Sequence, residues 1–198
     1  HSLKAHPKDI RPGEWRDVGY RFLPCLFNEL RDFVEVELAW WHIAWADPAE
    51  KAKYKAPFWA TGWFRWRTWR CPQAGLDNLD WQSKLTWDKD ECEEDSPNVG
   101  KPTYQAEKAL EILALYKWWT EVYPNRPDPH DASGWSEYCN RKRNEGNGMS
   151  FFAETKNPEL KKFGEEALKK TREIEEAYEK EDEEMLIRLI KIRNSLWT

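Results

Sequence analysis

The sequence has no run of about 18 consecutive apolar residues, the length a helix needs to cross a bilayer. Its opening stretch, HSLKAHPKDIRPGEW, shows neither the apolar centre nor the small-residue cleavage site of a signal peptide. A cytoplasmic protein, neither secreted nor membrane-spanning, is therefore expected. Cysteine is scarce: Cys25, Cys71, Cys92 and Cys139 stand far apart, with no CxxC pair and no histidine at zinc-ligand spacing. That excludes a zinc module and predicts thiols in a reducing compartment. Also missing are a phosphate-binding glycine loop, GxSxG, HExxH, an EF-hand loop and GxGxxG, which removes several enzyme classes. No internal repeat is visible. An excess of positive charge is lacking too: the net charge is -5, which argues against a protein whose main task is coating nucleic acid.

What is present is tryptophan. Fourteen of the 198 residues are Trp, and each can bury about 200 Å² while asking for a hydrogen-bond partner at its indole N–H. Hydrophobic residues make up 40% and charged residues 34%, the balance of a folded chain with a charged surface over an aromatic interior. The length suits one substantial domain. Residues 1–198 are read as a single domain, with 158–198 a helical extension that packs back on it or forms the seam of a homodimer.

Between Pro24 and Asp47, the apolar residues Leu26, Leu30, Phe33, Val34, Leu38 and Trp41 recur near a period of 3.6, so one helix is predicted. It should stop at Asp47-Pro48, because the residue before proline is pushed out of helical conformation. The segment APFWATGWFRWRTWR fits either a strand or a short helix. The even spacing of Leu79, Trp81, Leu85 and Trp87 tips the reading toward a small β-ribbon over 58–88. The acidic run from Asp88 to Gly100 reads as a surface loop. After it Thr103 caps a strong helix whose inner stripe is Ala106, Ala109, Leu110, Leu113, Tyr116 and Trp119, widened by Ile112, Leu115 and Trp118. The proline-rich stretch PNRPDPHDASG is a stiff connector, and WSEYCNRKRN a short helix. Asn157-Pro158 then opens one or two helices that run to the C-terminus. The predicted fold class is mainly α: a helical bundle with a Trp-rich core, helices near 25–46, 103–123 and 158–196, and a long C-terminal helix.

Two constellations bear on chemistry. Arg65, Arg67 and Arg70 interleave with Trp63, Trp66 and Trp69, a combination that stacks a base and clamps a phosphate, or else packs as cation–π pairs at the edge of the core. These six form the candidate ligand site, for a nucleotide-like molecule or a host protein, without a metal. The second is carboxylate pairs at helical spacing. Asp32 with Glu35, beside Glu29, and Glu179 with Asp182, beside Glu183, each put two acids on one helix face, and two such faces bind Mg²⁺ or Mn²⁺. Solvated helix faces are the plainer explanation in a chain with 36 acids. Glu35 stands out, because it lies among Phe33, Val34 and Leu38. A buried carboxylate must be paired, protonated or bound to metal. His42, between Trp41 and Ile43, reads as a core histidine with a satisfied ring, and His130 as exposed.

The carboxylate pattern resembles the all-α, MazG-like nucleotide pyrophosphohydrolases, in which ExxE and ExxD helices hold the metal that activates water. Glu179-Lys180-Glu181-Asp182 matches the second motif, and Asp32-Phe33-Val34-Glu35 replaces the first by DxxE. That resemblance implies Asp32, Glu35, Glu179 and Asp182 as ligands, and Glu183 or Glu29 as the base. Several longer strings, LFNELRDFVEVE, GKPTYQAEKALEILALYKWWTEVYPNRPDP, SGWSEYC and EDEEMLIRLIKIRNSLWT, resemble a family of small tailed-bacteriophage proteins of no assigned activity. This implies a phage accessory protein in the host cytoplasm, acting by binding. A virion or scaffold component is the third expectation, resting on the long charged helix.

Overall fold

The computed structural model describes residues 18–58, 69–88, 98–145, 155 and 157–196. The chain is mainly α, as expected, and the described residues contain no strand. They divide into two compact units, 1–122 with 186–198, and 123–185.

In the first unit the opening helical run has three parts: α1 (Val18–Asp32), a π-helical turn (Phe33–Leu38) and α2 (Ala39–Trp45). The boundary at Asp47-Pro48 falls where expected: Ala46 turns extended, with ψ 151. Pro48 then starts a new helical turn, α3 (Pro48–Lys51), because the Asp47 carboxylate caps it by accepting from Glu50 N–H. The π turn alters which residues are inside. A strict 3.6 period carries Trp41 to the core, but a π turn holds one extra residue and rotates everything after it. Ala39 and Ile43 take the inner positions, and Trp41 is exposed.

The next described helix corrects the expected β-ribbon over its part of 58–88. Pro72–Ser83 forms α4, with Ala74, Gly75, Asn78 and Leu79 buried along one side. That is helical spacing, and Pro72 sits in the first turn, where its missing N–H costs nothing. The even spacing of Leu79 and Trp81 misled because Trp81 faces solvent. Residues 59–68 of that segment lie outside the described residues. The one β-like pairing described is an isolated bridge between Thr86 and Pro102, with Trp87 N–H donating to the Lys101 carbonyl at 3.0 Å. Leu85–Trp87 therefore pairs across the acidic loop, with Lys101–Thr103. Residues 89–97 of that loop also lie outside the described residues.

Thr103 caps α5 (Tyr104–Lys117), as expected, by accepting from Ala106 N–H at 3.1 Å. Ala106, Ala109, Ile112, Leu115 and Tyr116 are buried, while Leu110, expected inside, is half exposed. A second π turn, Trp118–Val122, follows. It delivers Trp118 and Trp119 onto Phe27, with ring centroids 4.9 and 5.4 Å away, and the Trp119 indole N–H donates to Asn28 Oδ1 at 3.1 Å. This is the aromatic centre of the first unit. Elsewhere the core formed by the described residues is largely aliphatic, and Trp41, Trp45, Trp81 and Trp87 are exposed.

The second unit holds α6 (Pro129–Ser133), α7 (Trp135–Glu145) and most of α8 (Pro158–Ile192), a single helix. Asn157 caps α8, accepting from Glu159 N–H and Leu160 N–H. The expected stiff connector contains a 3-10 turn and α6, the latter capped by Asp128. Ser133 and Thr171 share a buried hydroxyl pair at 2.7 Å. Gly164, buried on α8, lets the Tyr138 ring lie directly on the helix, since a Cβ there would fall 2.7 Å from that ring's Cζ. The last residues of α8 belong to the first unit, where Leu189 and Ile192 are buried and Arg188 holds Glu111 at 2.8 Å. No described helix is long and apolar enough to cross a membrane.

Gly75 sets the closest approach in the first unit. A Cβ on it would lie 2.9 Å from the Val34 carbonyl carbon and closer still to its oxygen. In an open helix Gly→Ala stabilises by about 1 kcal/mol. Here the sign is expected to reverse. Gly75→Ala should destabilise by about 3 kcal/mol, seen as a lower urea midpoint with an unchanged m value. A stabilised variant would refute this packing.

Candidate functional site

Glu35 is 2% exposed and sits in the first π turn. Its carboxylate accepts from Arg31 Nε at 2.7 Å, from Arg70 at 2.8 Å and from the Tyr116 hydroxyl at 3.0 Å. The other arm of Arg70 bonds Asp32. The Glu35 backbone carbonyl also accepts from Cys71 N–H at 2.8 Å, which ties the start of α4 to the π turn. Of the three outcomes open to a buried carboxylate, pairing is the one realised. Burial opposes the charge, but the two guanidinium groups and the phenol outweigh it and hold the Glu35 carboxyl below the usual range. The same carboxylate, with burial, pushes the Tyr116 phenol up.

These contacts account for part of both sequence constellations. Arg70 is engaged by Asp32 and Glu35, and Trp69 packs against the cluster of Ala39, Ile43, Tyr54 and Ala74. Trp63, Arg65, Trp66 and Arg67 lie outside the described residues. Asp32 and Glu35 belong to the first unit, Glu179 and Asp182 to the second. In the second unit Arg126 bonds Asp182 at 2.7 Å and Glu181 at 2.8 Å, its guanidinium lying 4.8 and 4.7 Å from the Tyr123 and Tyr178 ring centroids. Burial and the neighbouring acids nevertheless push the Asp182 carboxyl above its ordinary value, despite Arg126. Glu179 and Glu183 are exposed. Glu29 is exposed too, its carboxyl raised by desolvation and by Asp32 and Glu37. Among the described residues no group of three or more His, Cys, Asp or Glu side chains is arranged to hold a metal ion. A cation at Glu35 would have to displace two guanidinium groups.

A different place has the make-up of a binding site. A cavity of about 490 Å³ opens between the first π turn, α2, α4, α5 and the last described turn, Arg193–Ser195. Phe33, Leu38, Ala109 and Ile112 make its apolar floor, and Trp41 and Tyr104 supply aromatic walls. Three carboxamides, Gln82, Gln105 and Asn194, join the Ser195 hydroxyl and the Lys108 ammonium around it. Lys108 Nζ lies 4.8 Å from the Tyr104 ring centroid, and Gln82 donates to Asn78 Oδ1 at 2.9 Å. No carboxylate is among these lining residues. The volume falls within the range of small-molecule pockets, which pair an apolar lining with a few convergent polar groups. Sequence reasoning missed every polar member of this set. Gln82, Gln105 and Lys108 look like ordinary solvated helix positions, and only the meeting of three distant segments makes them a group.

No protein-family model, curated protein or solved structure matches the chain.

The Glu35 cluster generates a stability prediction with a definite sign. A carboxyl whose folded pKa is lowered contributes stability above its unfolded value, about 4.3, and that contribution is lost as pH falls through the folded pKa. Glu35→Gln should cost about 3 kcal/mol near neutral pH, because it leaves two guanidinium groups without their counter-charge. The gap between wild type and variant should then shrink below about pH 4.3. Urea denaturation of both proteins across pH 3–7 measures it, and a gap independent of pH would contradict the assignment.

Proposed function

We propose that this chain acts by binding, and that the cavity walled by Trp41 and Tyr104 takes a flat, anion-bearing heteroaromatic ligand of the nucleotide kind. The observation that carries the reading is the lining chemistry. Carboxamides both donate to and accept from the edge of a base, aromatic side chains stack on its face, at about 1–3 kcal/mol per base, and the one charged group, Lys108, suits a phosphate. A cavity without carboxylates favours an anion over a cation. In the infected-cell setting implied by the phage-like strings, such a protein would sequester a host metabolite. No described carboxylate lines this cavity, so the reading requires no catalytic step.

Titration of the full chain with ribonucleosides and their mono- and triphosphates, followed by tryptophan fluorescence and calorimetry, tests this. Saturable quenching is expected with at least one phosphate. Lys108→Ala should weaken that phosphate about tenfold, equivalent to about 1.4 kcal/mol, while leaving the matching nucleoside within about twofold. Absence of heat and quenching at millimolar ligand would sink the nucleotide reading, and capture of a host protein with the cavity unoccupied would replace it.

A further inference from the structure

On the far side of Trp41 lies a second cavity, of about 580 Å³, between α2, α3 and α4. Its walls are aromatic in an unusual way: Trp41, Trp45 and Trp81 line it, and they are 41, 75 and 56% exposed. Trp41 and Trp45, one helical turn apart, have ring centroids 5.7 Å apart and planes at 60°, which makes an open corner of two indoles. Trp81 comes from α4. Large indole surfaces left in water cost free energy, and three converging on one concavity form a contact surface for something. The charge of that concavity is opposite in sign to that of the first: Glu50, Asp77 and Asp80 line it against the single ammonium of Lys53.

We propose that this cavity binds a small organic cation with a quaternary ammonium head. Indole faces attract soft cations through the ring quadrupole, and aromatic cages are the recurrent solution for methylated ammonium. The carboxylates indicate which kind of cation. Asp77 already accepts from the Tyr54 hydroxyl at 2.7 Å on one oxygen and from Gln73 at 2.7 Å on the other, and Asp80 accepts from Lys84 at 2.5 Å. Their negative field reaches the cavity, while their hydrogen-bonding directions are partly taken. A head group without N–H donors loses nothing by this, whereas a primary ammonium must find acceptors. The floor is also stiff. Tyr54 has one hydroxyl proton and donates it to Asp77, so it accepts from His42 Nε2–H at 2.9 Å, which fixes that tautomer and anchors Asp77 from beneath.

The test uses the full chain with tetramethylammonium chloride, methylammonium chloride and sodium chloride at equal ionic strength, read by tryptophan fluorescence and calorimetry. Saturable binding of tetramethylammonium, at least tenfold tighter than methylammonium, is expected. Trp45→Ala and Trp81→Ala should each weaken it at least tenfold, while Trp87→Ala, outside the cavity, leaves it unchanged. Trp45 is mostly in water, so its loss should leave the circular dichroism spectrum intact, and Asp80→Asn gives a second variant, expected to bind about threefold more weakly. A further arm compares choline with phosphatidylcholine vesicles. Equal binding of methylammonium, full affinity in both tryptophan variants, or retention on vesicles without binding of free choline would each overturn the proposal. Nucleotide binding by Trp45→Ala should be unaffected, so failure here is separable from failure of the first cavity.

Discussion

The Glu35 carboxylate is the point on which the first unit depends, because it cannot leave its position without stranding hydrogen-bond donors on three elements. Arg31 reaches it from α1, Tyr116 from α5 and Arg70 from the segment leading into α4, and Asp32 takes the remaining arm of Arg70. Placing a carboxylate there has a desolvation cost that the pairing offsets only with good geometry. What the arrangement supplies is specificity of position. Three segments separated by up to 81 residues in sequence meet at one pair of oxygens, and this holds α4 against the π turn in the register that shapes both cavities.

The features legible in the sequence are those set by neighbours in the chain. The caps at Thr103 and Asn157 follow from a hydroxyl or amide oxygen reaching an N–H two or three residues on, and the stop at Asp47-Pro48 from a local steric clash. The burial of Glu35 among Phe33, Val34 and Leu38 was legible as well, together with the demand that it find a partner. Its distant partners were not, since Tyr116 lies 81 positions away and Arg70, 35 positions away, on sequence looked like a ligand-binding arginine. Trp41 and Leu110 went wrong for a related reason. A π turn leaves no composition signal, yet one extra residue per turn moves the whole stripe, and a helix as apolar as α5 offers more candidates for its inner face than the core has room for.

The α4 segment shows the same limit from the side of secondary structure. Alternation of Leu79, Trp81, Leu85 and Trp87 suggests a ribbon, but the pattern joins a helix end to an extended tail. The tertiary fit of Ala74, Gly75, Asn78 and Leu79 decides the outcome. Both cavities draw most of their polar lining, Gln82, Gln105, Lys108, Asp77 and Asp80 among it, from residues that sequence reading passed over, because their meaning lies in company rather than spacing. Trp41 belongs to each of them, exposed by the same rotation that took it out of the core.

The contact at Gly75 bears on how this protein can change over time. Its steric neighbour is the main-chain carbonyl of Val34, and a backbone atom, unlike a side chain, cannot be trimmed by substitution elsewhere. No compensating replacement at position 34 makes room for a methyl group at position 75, so drift on either helix has to proceed around that crossing as a fixed point.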